Sequence, residues 1–501
     1  MGHVFVVQGR IGHLDCDAVV VPTDRDFVVE ETWHAALGVT AQEVAALEPE
    51  GWVERGVGRA TGLAQPAWFV DVVRGPGDAR TELRAVMERL RTALEEVAAA
   101  GLTPGAGRPQ ALVALPTLGT GGGGFADVTG AVVAEQLATC QDVAAEHDLD
   151  VVIVTATAAD HTAFQAARLS RGLEPGVTEE AARTARTLAD LARSGELALF
   201  VGAGVSMAAG LPLWEALISA VADRYGVDLD DVPSALDQAE LLRRELGEDF
   251  GAAVVRETSS VDRYAITHSL LAALGCREIV TTNYDTLYER AARDVEGTDA
   301  VPALPYEEPR SGSPWVLKMH GDVGDPAGIV LTRSDFVRYD SRSRPLGSVV
   351  QALMLTRHLL VVGASLTDDN FLRLAHEVVA FREQGPPAEA PRPPLGTVLD
   401  RRPVGGKARL WEGVFDYVAA SGRARPEEQS RDLAIVLDLI AAHAAGDSHL
   451  LDPRYADLLP DDEGRAAAQA ARDLATRVST LGPSWEALAR ALADLGADGS
   501  T

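Results

Sequence analysis

The chain is poor in cysteine, in lysine and in long apolar runs, and each shortage narrows what it can be. Three cysteines, Cys16, Cys140 and Cys276, are scattered over 501 residues. Their number is odd and no CxxC pair occurs, so neither a disulfide framework nor a structural zinc knuckle is supported. No run of about 18 apolar residues is present, and the opening MGHVFVVQGR lacks the charged segment and apolar stretch of an export signal. The expectation is a soluble cytoplasmic protein. Positive charge is also scarce. Lysine occurs only at Lys318 and Lys407, and 45 basic residues face 74 acidic ones, for a formal net charge of −29. Such a chain repels nucleic acid and anionic membrane surfaces, so neither is expected as a general partner. Local basic pockets for phosphates stay open.

What is present is enough for well-filled cores: 47% of residues are hydrophobic, and the length calls for two or three domains. Short β-branched runs at 4–7, 18–22, 67–73, 111–115 and 151–155 alternate with helical stretches, notably 80–100 and 129–147. The pattern predicts a first α/β domain over 1–168 with a largely buried sheet. RLSRGLEPGVTEE, with two glycines and a proline, reads as a linker, bounded at 169–180. Further strands are expected at 278–283, 314–321, 328–332, 359–365 and 396–400. They belong to a second, doubly wound α/β domain over 181–420 that starts with a helix and the strand before Gly202. The proline-rich stretch 383–396 is too stiff for a helix. Alanine-rich segments predict a C-terminal helical extension over 421–501.

The chemistry concentrates at strand ends. LALFVGAGVSMAAGLPLW, 197–214, runs from a strand through a glycine turn to a helix. Such a turn lets backbone approach a phosphate, and N–H groups at the helix start can hold the anion. TTNYD (281–285), KMHGD (318–322) and VVGASLTDDN (361–370) likewise close apolar strands, so all four segments can face one crevice. Taken singly, each has a plain reading. The glycines make tight turns, Asn283 and Asp285 form turns or cap a helix, and His320 is a structural histidine at a strand end. As an ordered set they resemble the sirtuin superfamily, most closely its prokaryotic sirtuin-like NADase branch. The resemblance implies NAD+ as substrate and cleavage of the nicotinamide–ribose bond. It implies Asn283 on the ribose or the attacking water, Asp285 on the nicotinamide carboxamide and His320 as the catalytic base. NAD+ would be held by Gly202, Ala203, Gly204, Ser206, Gly210, Trp214, Thr282, Gly363 and Ser365. His268 reads as structural or as a support behind the site. Deacetylase-type sirtuins carry a four-cysteine zinc module, whereas residues 286–317 hold no cysteine. Trp214 stands where those enzymes continue with Asp-Phe-Arg. Both departures favour water over acyl-lysine as nucleophile, and no metal is expected.

ALPTLGTGGGGF, 114–125, is the other glycine-rich strand end. A bare glycine run is ordinarily a flexible loop, but strand before and helix after make it a phosphate loop. Residues 1–168 resemble a macro domain, the ADP-ribose-binding module, which makes this a three-layer α/β fold. Gly119, Thr120, Gly121, Gly122, Gly123, Gly124 and Phe125 would then bind a nucleotide signal. Arg10 stands where the family's adenine-binding aspartate is expected, and either reads an extra phosphate or is a plain surface charge. The pairing of modules resembles Thoeris-type anti-phage effectors, in which a separate TIR-domain enzyme makes an ADP-ribose-derived signal. The implied protein destroys NAD+ when that signal binds, as a homo-oligomer of four or more chains. The alternatives are a zinc-free deacylase or ADP-ribosyltransferase, and a sensor without turnover.

Overall fold

The computed structural model describes residues 1–105, 107–172, 176–297, 301–384, 392–403 and 405–497. The chain divides into two compact units, one formed by 1–174 with 445–501 and the other by 175–444. Part of the expected linker, 173–175, and half of the proline-rich stretch, 385–391, lie outside the described residues.

The first unit is built on strands β1 (Val4–Gln8), β2 (Ala18–Thr23), β3 (Val57–Arg59), β4 (Ala67–Asp71), β5 (Ala111–Pro116) and β6 (Leu149–Thr155). They form one sheet in the order β1-β6-β5-β2-β4-β3, parallel except for β3 against β4. All seven residues of β6 are buried, as expected for a parallel strand covered on both faces. The helix Ala79–Ala99, capped by Asp78 on the Thr81 N–H, lays Leu83, Val86, Leu90 and Leu94 into the core, a helical spacing of apolar residues. From β5 the chain winds one way to β6, and from β2 the other way to β4. The loops after β5 and β2 therefore meet at the point where strand order reverses, where ligands of such sheets bind. The C-terminal segment belongs to this unit. Tyr455 packs into its core and its hydroxyl donates to Asp160 at 2.9 Å.

The second unit carries β7 (Leu197–Val201), β8 (Glu278–Thr281), β9 (Ala303–Leu304), β10 (Trp315–Lys318), β11 (His358–Val362), β12 (Gly396–Asp400) and β13 (Phe415–Ala419). Their order is β13-β12-β11-β7-β8-β10-β9, all parallel. Strand order reverses between β7 and β11, which places the GAG and VVGAS turns side by side. These sheets make the mixed α/β class expected from the alternating runs.

Several elements differ from expectation. GIVLT, 328–332, is not a strand: residues 326–328 form a short 3-10 turn, and Ile329 and Leu331 pack among helices. Its apolar character is spent on that helical cluster rather than on the sheet, whose last strand is the two-residue β9. FDYVA, 415–419, which none of the expected strands covered, forms edge strand β13. The helices after residue 421 divide between the units, with Pro426–Ala444 in the second and Asp462–Val478 and Glu486–Asp494 in the first.

Candidate active site

A crevice of about 530 Å³ opens at the carboxyl ends of β7, β8, β10, β11 and β12, within the size range of small-molecule sites. Gly202, Ala203, Gly204, Ser206, Trp214, Thr282, Asn283, Asp285, His320, Gly363 and Ser365 all line it. Gly210 is the exception among the expected residues. It sits in the following turn at φ +95°, a left-handed conformation that favours glycine.

The glycines also have a structural task that the sequence did not announce. The Gly202 N–H donates to Val362 O and the Gly204 N–H to Gly363 O, both at 2.9 Å. These donors are already spent, so they do not face a phosphate. A Cβ on Gly202 would lie 2.6 Å from Gly363 O, and one on Gly363, at φ +71°, 2.6 Å from Val205 N. The missing side chains let the β7 and β11 turns touch, and this contact closes the floor of the crevice.

Asn283 follows β8, with its N–H on Thr281 Oγ1 at 3.0 Å. Its Nδ2 donates to Ser206 Oγ at 2.9 Å and to Gly202 O at 3.3 Å. A backbone carbonyl only accepts, so the amide orientation is fixed chemically. Behind it, Ser206 Oγ lies 3.4 Å from His268 Nε2. Burial lowers the His268 pKa to about 4, so the ring is neutral near pH 7 and can accept the serine proton. The relay Asn283–Ser206–His268 locks the amide and engages Ser206, which was expected to hold NAD+. It leaves Asn283 Oδ1 buried with no partner.

His320 follows β10, its backbone carbonyl accepting the Val330 N–H at 2.9 Å. Its Nε2 lies 3.1 Å from Asp368 Oδ2, short of hydrogen-bond alignment. Asp368 Oδ1 accepts the Phe371 N–H at 2.9 Å and caps the helix Asp369–Glu383. That helix therefore aims the carboxylate at the imidazole. Phe336 and Tyr339 meet the ring edge-on, and Trp214 stacks on Phe336 at 5.8 Å. Trp214 Nε1 is a further buried polar atom without a partner. Buried polar groups are nearly always satisfied, so an orphan donor and an orphan acceptor on one crevice mark ligand positions.

Asp285 takes its plain role at least in part. Its Oδ1 accepts the Leu287 N–H at 3.1 Å at the start of the helix Leu287–Glu296. Its carbonyl receives Lys318 Nζ at 2.5 Å. Lys318 is fully buried and also meets Glu289 Oε1 at 2.9 Å and Asp322 Oδ2 at 3.0 Å. Burial works to lower its pKa, but Glu289, Asp322 and Asp285 together hold it above the usual lysine range. This cation ties the loop carrying Asn283 to β10. Sequence reasoning did not assign Lys318, Asp368 or Phe336. KMHG and SLTDD contained the first two, but spacing gave no sign of their partners.

In the first unit the glycine loop follows β5 at the reversal point. Gly121, Gly122 and Gly124 are exposed, whereas Gly123 is buried and packs on Gly119, where a Cβ would come within 2.6 Å. Phe125, expected to face a ligand, is fully buried in the core, because an apolar ring at the base of a glycine loop anchors it. Gln136 clamps the loop's start, accepting from the Leu118 N–H at 2.9 Å and donating to Pro116 O at 2.8 Å. Thr120 is half-buried in the loop. Arg10 is exposed after β1, on the far side of β6 from β5. Glu30 stands beside Gly122, so an anion at the tip meets a carboxylate as well as backbone N–H groups.

Among the described residues no cluster of His, Cys, Asp and Glu fits a metal ion, and no helix is long and apolar enough to cross a membrane. Residues 277–413 match the SIR2-like domain family, a span that holds β8, β10, β11 and β12 but not the Gly202 turn. The chain is 30% identical over 195 residues to the NAD(+) hydrolase ThsA of Enterococcus faecium, covering 37% of this chain and 40% of that one. It is 29% identical over 182 residues to the protein of that name from Bacillus cereus, covering 34% and 38%. Defense-associated sirtuin 2 of Bacillus subtilis is 24% identical over 206 residues, covering 38% of this chain and 20% of that one. The chain thus spans about 40% of the length of the first of these relatives. Its second unit carries a SIR2-like domain, homologous to that of NAD(+) hydrolases and defence-associated sirtuins.

Proposed function

We propose that the second unit hydrolyses NAD+ to nicotinamide and ADP-ribose. The observation that carries this reading is the crevice at the strand-order reversal, where the orphaned Asn283 Oδ1 and Trp214 Nε1 converge with His320. The C1′–N bond breaks with its electron pair going to the nicotinamide ring, which leaves neutral. The oxocarbenium-like ribose is stabilised by fixed dipoles in a crevice that excludes bulk water. Asn283 Oδ1 accepts a hydrogen bond from the attacking water or a ribose hydroxyl. His320, oriented by Asp368, takes the proton as the new C1′–O bond forms. Water supplies the oxygen and one proton is released. The test is nicotinamide release by the full chain. His320→Ala and Asn283→Ala should each lower it by 100-fold or more, and undiminished release would refute the assigned roles. If an acyl-lysine peptide multiplies turnover, the enzyme is a deacylase instead.

For the whole chain the reading is an anti-phage NAD+-depleting effector, on the strength of the relatives' names and the pairing of units. The first unit, through Gly119–Gly124 and Arg10, would bind an ADP-ribose-derived signal made by a separate enzyme. Unregulated NAD+ loss kills a cell. Control then requires the signal to bind active and inactive assemblies unequally, and we take these to be homo-oligomers of four or more chains. Calorimetry with ADP-ribose tests the sensor. Loss of the first-unit binding in Gly121→Trp supports it, and unchanged binding removes it.

A further inference from the structure

We infer that the β12 end of the crevice is a subsite for a phosphate monoester on the adenosine ribose, so that NADP+ is taken at least as well as NAD+. This rests on the hydrolase reading above and extends it to the choice of dinucleotide.

Strand order lines the subsites up. His320 follows β10, Asn283 follows β8, the touching glycine turns follow β7 and β11, and Asp400, Arg401 and Arg402 stand at β12. Adjacent strands lie about 4.8 Å apart, so β8 to β12 spans about 14 Å. With the bond-breaking residues at one end, the far ribose of a dinucleotide falls at the other.

That end is cationic in a chain of net charge −29. Arg401 and Arg402 line the crevice beside Ser365 and Thr367. Lys407, one of only two lysines, donates Nζ to Ser365 O at 3.0 Å and adds a third positive charge to the same loop. Arg401 is half-buried and gives one N–H to Ser430 Oγ at 3.3 Å, which steadies a guanidinium that has five N–H donors. The one acidic residue at the strand end is engaged within its own turn. Asp400 Oδ1 accepts the Arg402 N–H at 3.0 Å and lies 3.6 Å from Arg402 Nε. In dinucleotide folds a carboxylate beside the adenosine ribose accepts its 2′-hydroxyl, while an arginine there accommodates a 2′-phosphate. Asp368, next to Thr367, is turned to His320, so two arginines and a lysine stand around a carboxylate already engaged in its own turn and favour the phosphate, whose oxygens the planar guanidinium fork matches.

Initial rates with NAD+ and with NADP+ test this, together with calorimetry using ADP-ribose and 2′-phospho-ADP-ribose. Wild type should show kcat/KM for NADP+ equal to or above that for NAD+. Arg401→Ala/Arg402→Ala should lower the NADP+ to NAD+ ratio by ten-fold or more. Arg402→Ala alone, at an exposed side chain, should lower it in the same direction and guards against misfolding of the double variant. A wild-type preference for NAD+ of ten-fold or more overturns the proposal, as does an equal loss on both substrates. The calorimetric arm does not need turnover. The phosphorylated ligand should bind ten-fold or more tighter than ADP-ribose, with the margin lost in the double variant, and equal affinities overturn the subsite. If neither dinucleotide releases nicotinamide while the calorimetric margin is present, the hydrolase reading fails and the subsite stands.

Discussion

Replacing Lys318 with methionine should destabilise the second unit in a way that depends steeply on pH. The ammonium is wholly buried, and its partner Glu289 keeps 2% side-chain exposure. Removing the cation leaves a carboxylate with neither water nor counter-charge, a change that ordinarily costs about 3–5 kcal/mol. The carboxylate can escape by taking a proton. From a reference pKa of about 4.3, at about 1.4 kcal/mol per pH unit, this costs about 4 kcal/mol at pH 7 and about 1 kcal/mol at pH 5. The loss should therefore shrink by about 3 kcal/mol between those pH values. The carbonyl of Asp285 loses its donor at either pH, adding about 1 kcal/mol. Lys318→Met/Glu289→Leu should recover most of the loss, because apolar isosteres of a buried ion pair are tolerated. The assay is urea unfolding read by amide hydrogen exchange in β8 and β10, which reports this unit alone. A loss under 1 kcal/mol at pH 7, or the same loss at pH 5 and 7, would refute the reasoning.

His268 gives an acid-stability prediction. Its pKa is lowered by burial to about 4, so between pH 6.5 and 4 the unfolded chain takes up a proton that the folded one refuses. Stability should fall by about 3 kcal/mol over that window, and His268→Gln should flatten the slope of urea midpoint against pH. Asp368→Asn keeps the helix cap, since asparagine caps as well as aspartate, but removes the charge facing His320. We expect kcat to fall by about 10–100-fold with KM within about twofold and the melting temperature unchanged, and a parallel loss of all three would mean a structural role only. Gly363→Ala must hold φ +71° and put a Cβ 2.6 Å from Val205 N, so it should cost about 1–3 kcal/mol and part the two turns. Chemical denaturation and nicotinamide release measure the two effects, and a neutral substitution would contradict the contact.

Much of the second unit was legible because strands announce themselves in apolar runs and chemistry gathers where they end. Gly202, Asn283, His320 and Gly363 lie up to 161 residues apart in sequence, yet they line one crevice because four parallel strands point the same way. What spacing does not carry is direction. Nothing in GAGVS says that its N–H groups turn toward Val362 and Gly363 rather than toward solvent. Nothing in GTGGGGF says that Phe125 faces inward. Pairings between distant segments were equally hidden: Lys318 with Glu289, His320 with Asp368, Ser206 with His268. Each needs the register of neighbouring strands, which hydrophobic pattern leaves open. GIVLT misled for a related reason, since an apolar run packs on helices as readily as in a sheet.

The most direct measurement is nicotinamide released from NAD+ by the purified full chain, with and without added ADP-ribose or cyclic ADP-ribose, beside Asn283→Ala. The account predicts release by the wild type in at least one condition, in step with NAD+ loss, and a drop of 100-fold or more in the variant. Intact NAD+ under every condition, or equal release by the variant, would contradict it.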